Sequence, residues 1–152
     1  MQRALRRTAP GLLLLVAGVG QSTESAQVWQ ADIQIRTLEV TRTKTTMSAR
    51  VVIYTENDDD AKDARLLILL PVGVGIERLA PGCAASPGPS MVPSLRAAVT
   101  CEVGTLPNHG FREVAVTTTL TANSFSKRFG VFTYSSTPDP VPGNNYAERT
   151  IP

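Results

Sequence analysis

The residue types that most often supply a catalytic base and an activated nucleophile, His and Cys, are scarce in this chain, which has one histidine and two cysteines. His109 is the only histidine among 152 residues, so a catalytic triad or a Cys–His pair would have to use it. It lies between Asn108 and Gly110 in a run typical of a tight turn, where we expect an exposed side chain. The sequence also contains no phosphate-binding glycine loop, no His-based zinc motif and no dinucleotide fingerprint. We therefore predict that the protein is not an enzyme and has no catalytic residues.

The two cysteines, Cys83 and Cys101, predict a disulfide bond. An even number of cysteines in an exported chain indicates pairing, and the N-terminus described below predicts export. Closing a loop of about 20 residues stabilises a fold by about 3 kcal/mol in the chain-entropy model. Two free buried thiols are the alternative. A zinc site is disfavoured, because the chain has one histidine and no Cys-x-x-Cys motif.

A run of carboxylates supplies the first candidate metal site. Hard oxygen ligands at close spacing can bind Ca²⁺, but this run has neither the central Gly nor the closing Glu of the regular Ca²⁺-binding loop. We favour a solvated acidic turn, partly neutralised by Lys62 and Arg65. The candidate ligands are Asp58, Asp59, Asp60 and Asp63, with Glu56 beside them.

A second candidate lies near the C-terminus, where Asp139 is followed by Asn144 and Asn145. Asp and Asn side chains also favour turns by hydrogen bonding to nearby backbone, and that interpretation requires no ion. We predict no tightly bound cofactor, and weak Ca²⁺ binding is the one cofactor hypothesis that the sequence leaves open.

Aromatic residues are scarce, at 5% of the chain. Trp29, the only Trp, is a candidate ligand contact, although we favour a role in capping the N-terminal edge of the fold. Phe129, Phe132 and Tyr134 share one predicted strand and point to both of its faces, and we expect most of them in the core.

The N-terminus has the pattern of a secretory signal peptide. Arg3, Arg6 and Arg7 precede an apolar run over residues 11–19, with the small residues Gly18 and Gly20 near its end. The run is too short to span a bilayer as a helix, and a buried helix or an uncleaved anchor is the alternative. We predict a signal peptide over residues 1–25, cleaved between about 20 and 25, and a single domain over residues 27–152. The mature protein would lie in the periplasm, on the cell surface or outside the cell.

Charge argues against nucleic acid as a partner. The chain has 15 basic and 13 acidic residues, but the signal segment holds three Arg and one Glu, so twelve of each sign remain. A formally neutral domain has no electrostatic footprint for nucleic acid or an anionic membrane. The longest later apolar run, over residues 66–74, is too short to cross a membrane and contains a proline.

The rest of the chain has the period of two that is typical of β-strands. Pro and Gly, 11 of each, fall mostly between the strand candidates. About seven or eight short strands predict an all-β, immunoglobulin-like sandwich. The inward-facing sets are Met47, Ala49, Val51 and Ile53, and Val114, Val116, Thr118 and Leu120. Further strands are predicted from Ile33 through Val40 with one slip of phase at a bulge, over residues 66–70 as a central strand buried on both faces, and over 96–101, 129–135 and 146–151. The intervening turns and loops are predicted over residues 57–63, 81–93, 107–110 and 138–145.

Three motifs resemble a bacterial family. They are Leu70-Pro71-Val72-Gly73-Val74; Val99-Thr100-Cys101-Glu102-Val103-Gly104-Thr105-Leu106; and Thr137-Pro138-Asp139-Pro140-Val141-Pro142-Gly143-Asn144-Asn145. Over residues 35–151 the chain resembles the conserved-repeat domain of large surface proteins, a domain of unknown function (number eleven). The resemblance implies an immunoglobulin-like sandwich and assigns no catalytic residue. That family usually occurs as tandem copies, whereas this chain holds one.

Two functions fit these observations. The first is an exported, non-enzymatic structural or protein-interaction module of the bacterial envelope or extracellular space, with a protein partner. The second is a small carbohydrate- or peptidoglycan-binding β-sandwich.

The signal peptide gives the first testable prediction. We expect the exported protein to lack its first 20 to 25 residues, because the Arg-rich start and Leu-rich run direct cleavage there. Intact-mass spectrometry of the exported protein measures this directly, and retention of Met1 would refute it.

Overall fold

The computed structural model describes residues 28–56, 59–71, 73–87, 97–120 and 128–151. Within these ranges no helix is long and apolar enough to cross a membrane. The predicted signal peptide and Asp58 lie outside the described residues. The elements are β1 (Asp32–Arg42), β2 (Thr46–Glu56), β3 (Ala61–Leu70), β4 (Val74–Leu79), β5 (Cys83–Pro87), β6 (Ala97–Leu106), β7 (Phe111–Leu120), β8 (Arg128–Tyr134), a 3₁₀ helix (Pro142–Asn144) and β9 (Tyr146–Thr150).

The strands form two antiparallel sheets. Sheet A has the order β1-β2-β7-β4, and sheet B has the order β5-β6-β3-β8-β9. Apolar residues on the inner faces pack between the sheets, which removes them from water and supplies the main driving force for folding. The predicted all-β sandwich is confirmed. The core includes Ile33, Met47, Val51, Ile53, Leu66, Ile68, Leu70, Val99, Val116, Phe129 and Val131.

Alternation along the strands follows the sequence pattern. In β2, Met47, Ala49, Val51 and Ile53 are all buried, and in β7 Val114, Val116 and Thr118 are buried with Leu120 partly so. In β1, the register shifts between Ile35 and Thr37. The bulge lets Ile33 and Leu38 both reach the core, although an unbroken period of two would place them on opposite faces. The predicted slip of phase is confirmed.

Strand β3 is central in sheet B, as predicted, with β6 on one side and β8 on the other. The prediction that it is buried on both faces is wrong. Leu66, Ile68 and Leu70 are fully buried, whereas Leu67 and Leu69 are only partly buried. These two side chains lie on the outer face of sheet B, which no other described element covers.

The structure corrects three further boundaries. The first half of the predicted loop over residues 81–93 contains a strand, β5, which pairs with β6 from Cys83↔Cys101 to Pro87↔Ala97, and residues 88–93 lie outside the described residues. Strand β4 was not predicted, because Gly75, Glu77 and Arg78 interrupt its apolar pattern. Asp63 belongs to β3 and not to the preceding turn. It has φ +49°, and the register of β3 with β6 shifts on both sides of Ala64, so this end of the strand is bulged.

Cys83 and Cys101 form a disulfide, as predicted, between directly paired residues of β5 and β6. The bond fastens a five-residue strand at the edge of sheet B to its neighbour. Strands β1 and β9 also lie at sheet edges. The bulge in β1 and the exposed Glu148 and Arg149 in β9 hinder further strand pairing there.

The disulfide gives the second prediction. Because it constrains an 18-residue separation, we expect reduction to lower the free energy of unfolding by about 2–4 kcal/mol. Urea denaturation with and without reductant measures the difference, and the C83A/C101A double variant is the matched form that reductant should leave unchanged. An identical urea midpoint for the oxidised and reduced wild type would contradict the prediction.

Candidate functional site

The outer face of sheet B presents aromatic rings at alternate positions of β8 and β9. In β8, Phe129, Val131 and Thr133 point into the core, so Phe132 and Tyr134 must point outward. Antiparallel pairing places Tyr146 of β9 opposite Phe132. On the other side of β8, Phe132 lies opposite Leu67 of β3. We call the surface formed by Leu67, Leu69, Phe132, Tyr134 and Tyr146 the aromatic face.

The rings of the aromatic face lie close together and reach solvent. Phe132 and Tyr134 have centroids 5.9 Å apart and planes inclined by 24°. Phe132 is 37% exposed, Tyr134 38% and Tyr146 48%. The expectation that most aromatic residues of this strand lie in the core is wrong, because Phe129 alone of the three is buried.

Gly130 permits Tyr146 to lie across β8. A Cβ atom at Gly130 would sit 3.4 Å from the Tyr146 hydroxyl and 3.6 Å from Leu69 Cδ1, so a larger side chain would displace the ring. The absence of a side chain at Gly130 therefore leaves room for the Tyr146 ring beside Leu69 on this face.

Two charged residues, Arg128 and Glu148, interact with each other and with Tyr146 at the edge of the aromatic face. The Tyr146 hydroxyl donates a 2.7 Å hydrogen bond to Glu148 Oε2, and Arg128 Nε lies 3.2 Å from Glu148 Oε1. The hydrogen bond to Glu148 raises the pKa of Tyr146 above its usual value, because ionising the phenol would cost that bond, and partial burial of the ring acts in the same direction.

A pocket lies at the end of the sandwich next to the aromatic face. Its volume is about 470 Å³. One of its lining residues, Ser136, follows Tyr134 by two positions in the sequence. Trp29 is 62% exposed on its wall, so the expectation that this ring caps the sandwich is wrong. The lining consists of Trp29, Asp59, Asp60, Lys62, Ser136, Thr137 and Pro138.

The described aspartates of the predicted acidic turn each accept a hydrogen bond from a different segment of the protein. Asp59 Oδ2 accepts from the backbone N–H of Gln30 at 2.8 Å, and Asp60 Oδ1 accepts from that of Asn108 at 3.0 Å. Asp63 Oδ2 accepts from the Ser136 hydroxyl at 2.9 Å. Among the described residues, no three acidic, His or Cys side chains are grouped as metal ligands. The acidic turn therefore fixes neighbouring segments of chain.

Asp139 also bonds to backbone. Its Oδ1 accepts from the N–H of Val141 at 2.7 Å, and its Oδ2 accepts from the N–H of Ile33 at 3.3 Å. The first bond is the local turn that the sequence predicted for this loop.

His109 is an exposed turn residue, as predicted. The turn closes with a 2.7 Å bond from Gly110 N–H to the Pro107 carbonyl, and His109 itself has φ +54°. Its Nδ1 lies 3.0 Å from the Tyr54 hydroxyl, and the Arg36 guanidinium lies 4.8 Å from the centre of the Tyr54 ring. The residues around His109 therefore pack on one another on the outer face of sheet A.

Comparisons with known proteins leave the family unassigned. No family model matches the chain. No curated protein matches it either. The family resemblance stays a prediction.

Solved structures with a similar trace include one described as the unique CBM3 of Hungateiclostridium clariflavum, at 9% identity and a TM-score of 0.45, covering 72% of this chain and 95% of that one. Another is the GH20 exo-β-N-acetylglucosaminidase from Vibrio harveyi in complex with N-acetylglucosamine, at 10% identity and a TM-score of 0.32. That match covers 81% of this chain and 17% of the other. Such scores assign no function.

The edge of the aromatic face gives the third prediction. The hydrogen bond from Tyr146 to Glu148 is present while the phenol is protonated and is lost as pH rises through the raised pKa of the folded protein. We expect E148Q to lower the pKa of Tyr146. Ultraviolet titration of tyrosine ionisation measures it, with Y146F identifying which transition belongs to this residue. A Tyr146 transition at the same pH in wild type and E148Q would contradict the assignment.

Proposed function

We propose that this chain is an exported, non-enzymatic protein-interaction module that binds its partner through the aromatic face. The observation that carries the proposal is the set of three rings left exposed on the outer face of sheet B. Exposed, contiguous apolar surface on a soluble domain is characteristic of interaction sites.

The shape and composition of this face favour a protein partner. Small molecules bind in concave sites, whereas the pocket at Trp29 is lined by no residue of the aromatic face. Tyr and Arg are enriched among the residues that dominate binding energy at protein interfaces. Here the exposed Arg65 lies directly opposite Tyr134 in the pairing of β3 with β8. The face therefore combines ring surfaces with an adjacent guanidinium.

Export and the lack of catalysis rest on separate observations. The N-terminal pattern supports export, and the disulfide fits an oxidising compartment. The disulfide also removes both thiols as nucleophiles, and His109 Nδ1 is within hydrogen-bond distance of Tyr54. The two cysteines and His109 therefore do not form a nucleophile–base pair. The resemblance to the conserved-repeat surface domain agrees with a binding role.

A second candidate function, carbohydrate or peptidoglycan binding, is favoured by the pocket at Trp29. An exposed indole beside two carboxylates offers a stacking surface and acceptors for sugar hydroxyls. The pocket and the aromatic face share no residue, so substitutions can separate the two functions.

The fourth prediction uses a double variant of the aromatic face. We expect F132S/Y134S to lose at least about tenfold in partner enrichment, since removing two interface hot spots costs more than about 1.4 kcal/mol. Immobilised wild type and variant are exposed to envelope and culture-medium proteins of the source organism, and bound proteins are quantified by mass spectrometry. The control is F111S, which removes the 71% exposed Phe111 on the outer face of sheet A.

Three outcomes are distinguishable. Loss in F132S/Y134S with retention in F111S supports the aromatic face. Equal enrichment on wild type and F132S/Y134S contradicts it. Binding of wild type to peptidoglycan or chitin that is abolished by W29A and unchanged in F132S/Y134S would establish the second candidate instead.

A further inference from the structure

The β8–β9 loop is joined to the start of β1 by a cluster of polar side chains. Asn144 Nδ2 donates a 2.8 Å hydrogen bond to Asp32 Oδ1. Asp139 Oδ2 accepts from the backbone N–H of Ile33, the next residue of β1. Asn145 is 4% exposed and Asp32 is 8% exposed, so the cluster is largely closed to solvent.

Two side-chain oxygen atoms at the end of this loop, on successive residues, are left without a donor. Asn144 Oδ1 and Asn145 Oδ1 are both buried, and neither has a hydrogen-bond partner. A buried acceptor without a donor destabilises the folded state, so a native structure with two such oxygens on successive residues requires an explanation. The turn interpretation does not supply one, because the turn uses Asp139 and the backbone of the 3₁₀ helix.

The position of Asn144 places one of these oxygens beside a carboxylate. Its Oδ1 belongs to the same planar amide as the Nδ2 that bonds to Asp32, so it lies next to that carboxylate. Asn145 follows directly, and its backbone is already fixed, with its N–H bonded to the Pro142 carbonyl and its carbonyl bonded to Thr133 N–H. The side-chain oxygen of Asn145 is therefore the part of this residue left for another ligand.

The cluster also carries negative charge without a cation. The ion pairs found among the described residues join Arg50 to Glu39 and Glu113 and Arg128 to Glu148, and none includes Asp32. Burying a carboxylate without a cation is unfavourable unless hydrogen bonds or a metal offset the cost. One bond from Asn144 offsets part of it.

We infer that Asp32, Asn144 and Asn145 form a Ca²⁺ site. A carboxylate and two amide carbonyls are hard oxygen ligands of the kind that Ca²⁺ takes, with water completing the six to eight that it prefers. Zinc sites in proteins are built mainly from Cys and His, which this set lacks, and Mg²⁺ demands a stricter octahedron. With a single carboxylate in the set, the affinity falls in the range of extracellular modules, with a Kd of about 10⁻⁴–10⁻³ M.

The ion would fasten the two sheets at one end. Asp32 begins β1 in sheet A, and Asn144 and Asn145 lead into β9 in sheet B. The same loop forms part of the pocket wall, because Pro138 lines the pocket and accepts a bond from Ala31 N–H, two residues after Trp29. Ca²⁺ therefore stabilises the fold and holds the loop that carries Pro138.

The fifth prediction is a thermal-shift measurement on the purified protein after removal of metals. We expect CaCl₂ to raise the Tm by about 3–6 °C at ten times its Kd, with a smaller effect of MgCl₂ at the same concentration. Isothermal titration should give one Ca²⁺ per chain.

Three variants locate the site. D32N keeps the shape of the side chain and its bond from Asn144 but removes the charge, so we expect the Kd for Ca²⁺ to rise at least tenfold. D59N removes a carboxylate of the acidic turn, outside the site, and should respond as wild type does. N145L replaces an unpartnered oxygen by an isosteric apolar group. It should raise the Tm in EDTA, since one of the two unpaired buried acceptors is removed, and abolish the response to Ca²⁺.

The outcomes decide between an ion and its alternatives. No Ca²⁺ response in the wild type would overturn the inference and leave the two oxygens to buried water. A response lost in D59N and kept in D32N would also overturn it, in favour of the acidic turn. A response lost in D32N and N145L and kept in D59N supports the site, and does so whichever surface binds the partner.

Discussion

Burial of one face of each sheet is the constraint on which the rest of this structure depends. Side chains alternate along a strand, and in this two-layer sandwich one set from each sheet fills a common core. In β8 the set that contains Phe129 and Val131 occupies that core. Phe132 and Tyr134 must then lie outside, whatever their hydrophobicity. The aromatic face thus arises from the register of the sheet, and its exposure is a property of the fold that a binding partner can use.

The acidic residues have a structural role, because they hold segments of the chain in place. Asp59, Asp60 and Asp139 each accept a hydrogen bond from the backbone N–H of a distant segment, at Gln30, Asn108 and Ile33 respectively. These bonds join the start of β1 to the β2–β3 and β8–β9 connections, and the β2–β3 connection to the β6–β7 turn, at one end of the sandwich. The pocket at Trp29 and the polar cluster at Asp32 both lie at this end. The segment that the sequence predicts to be a solvated acidic turn therefore connects neighbouring segments of the fold by hydrogen bonds.

Alternation in β2 and β7 and the bulge in β1 could be predicted from the sequence, because they are local. The inward sets of β2 and β7, the slip in β1, the disulfide and the exposed position of His109 all followed from residue type and spacing. Strand β5 could not be predicted, since Cys83–Pro87 is short and rich in small residues, and its strand conformation comes from pairing with β6. The exposure of Phe132 and Tyr134 was missed because β8 is apolar on both faces. The phase shared by Phe129, Val131 and Thr133 was the available signal. The bond between Asn144 and Asp32 could not be predicted, because the two residues lie more than a hundred positions apart.

Hydroxyl-radical footprinting of the purified protein, read out by mass spectrometry, tests most directly whether the sheet leaves this face free. Aromatic rings react in proportion to their contact with solvent, and Phe129 provides a buried reference on the same strand. We expect rapid oxidation of Phe132, Tyr134 and Tyr146 and protection of Phe129 in the native state, with the difference lost on unfolding. Protection of Phe132 and Tyr134 equal to that of Phe129 in the free protein would show that the face is covered or that β8 has the opposite register, and would contradict this expectation.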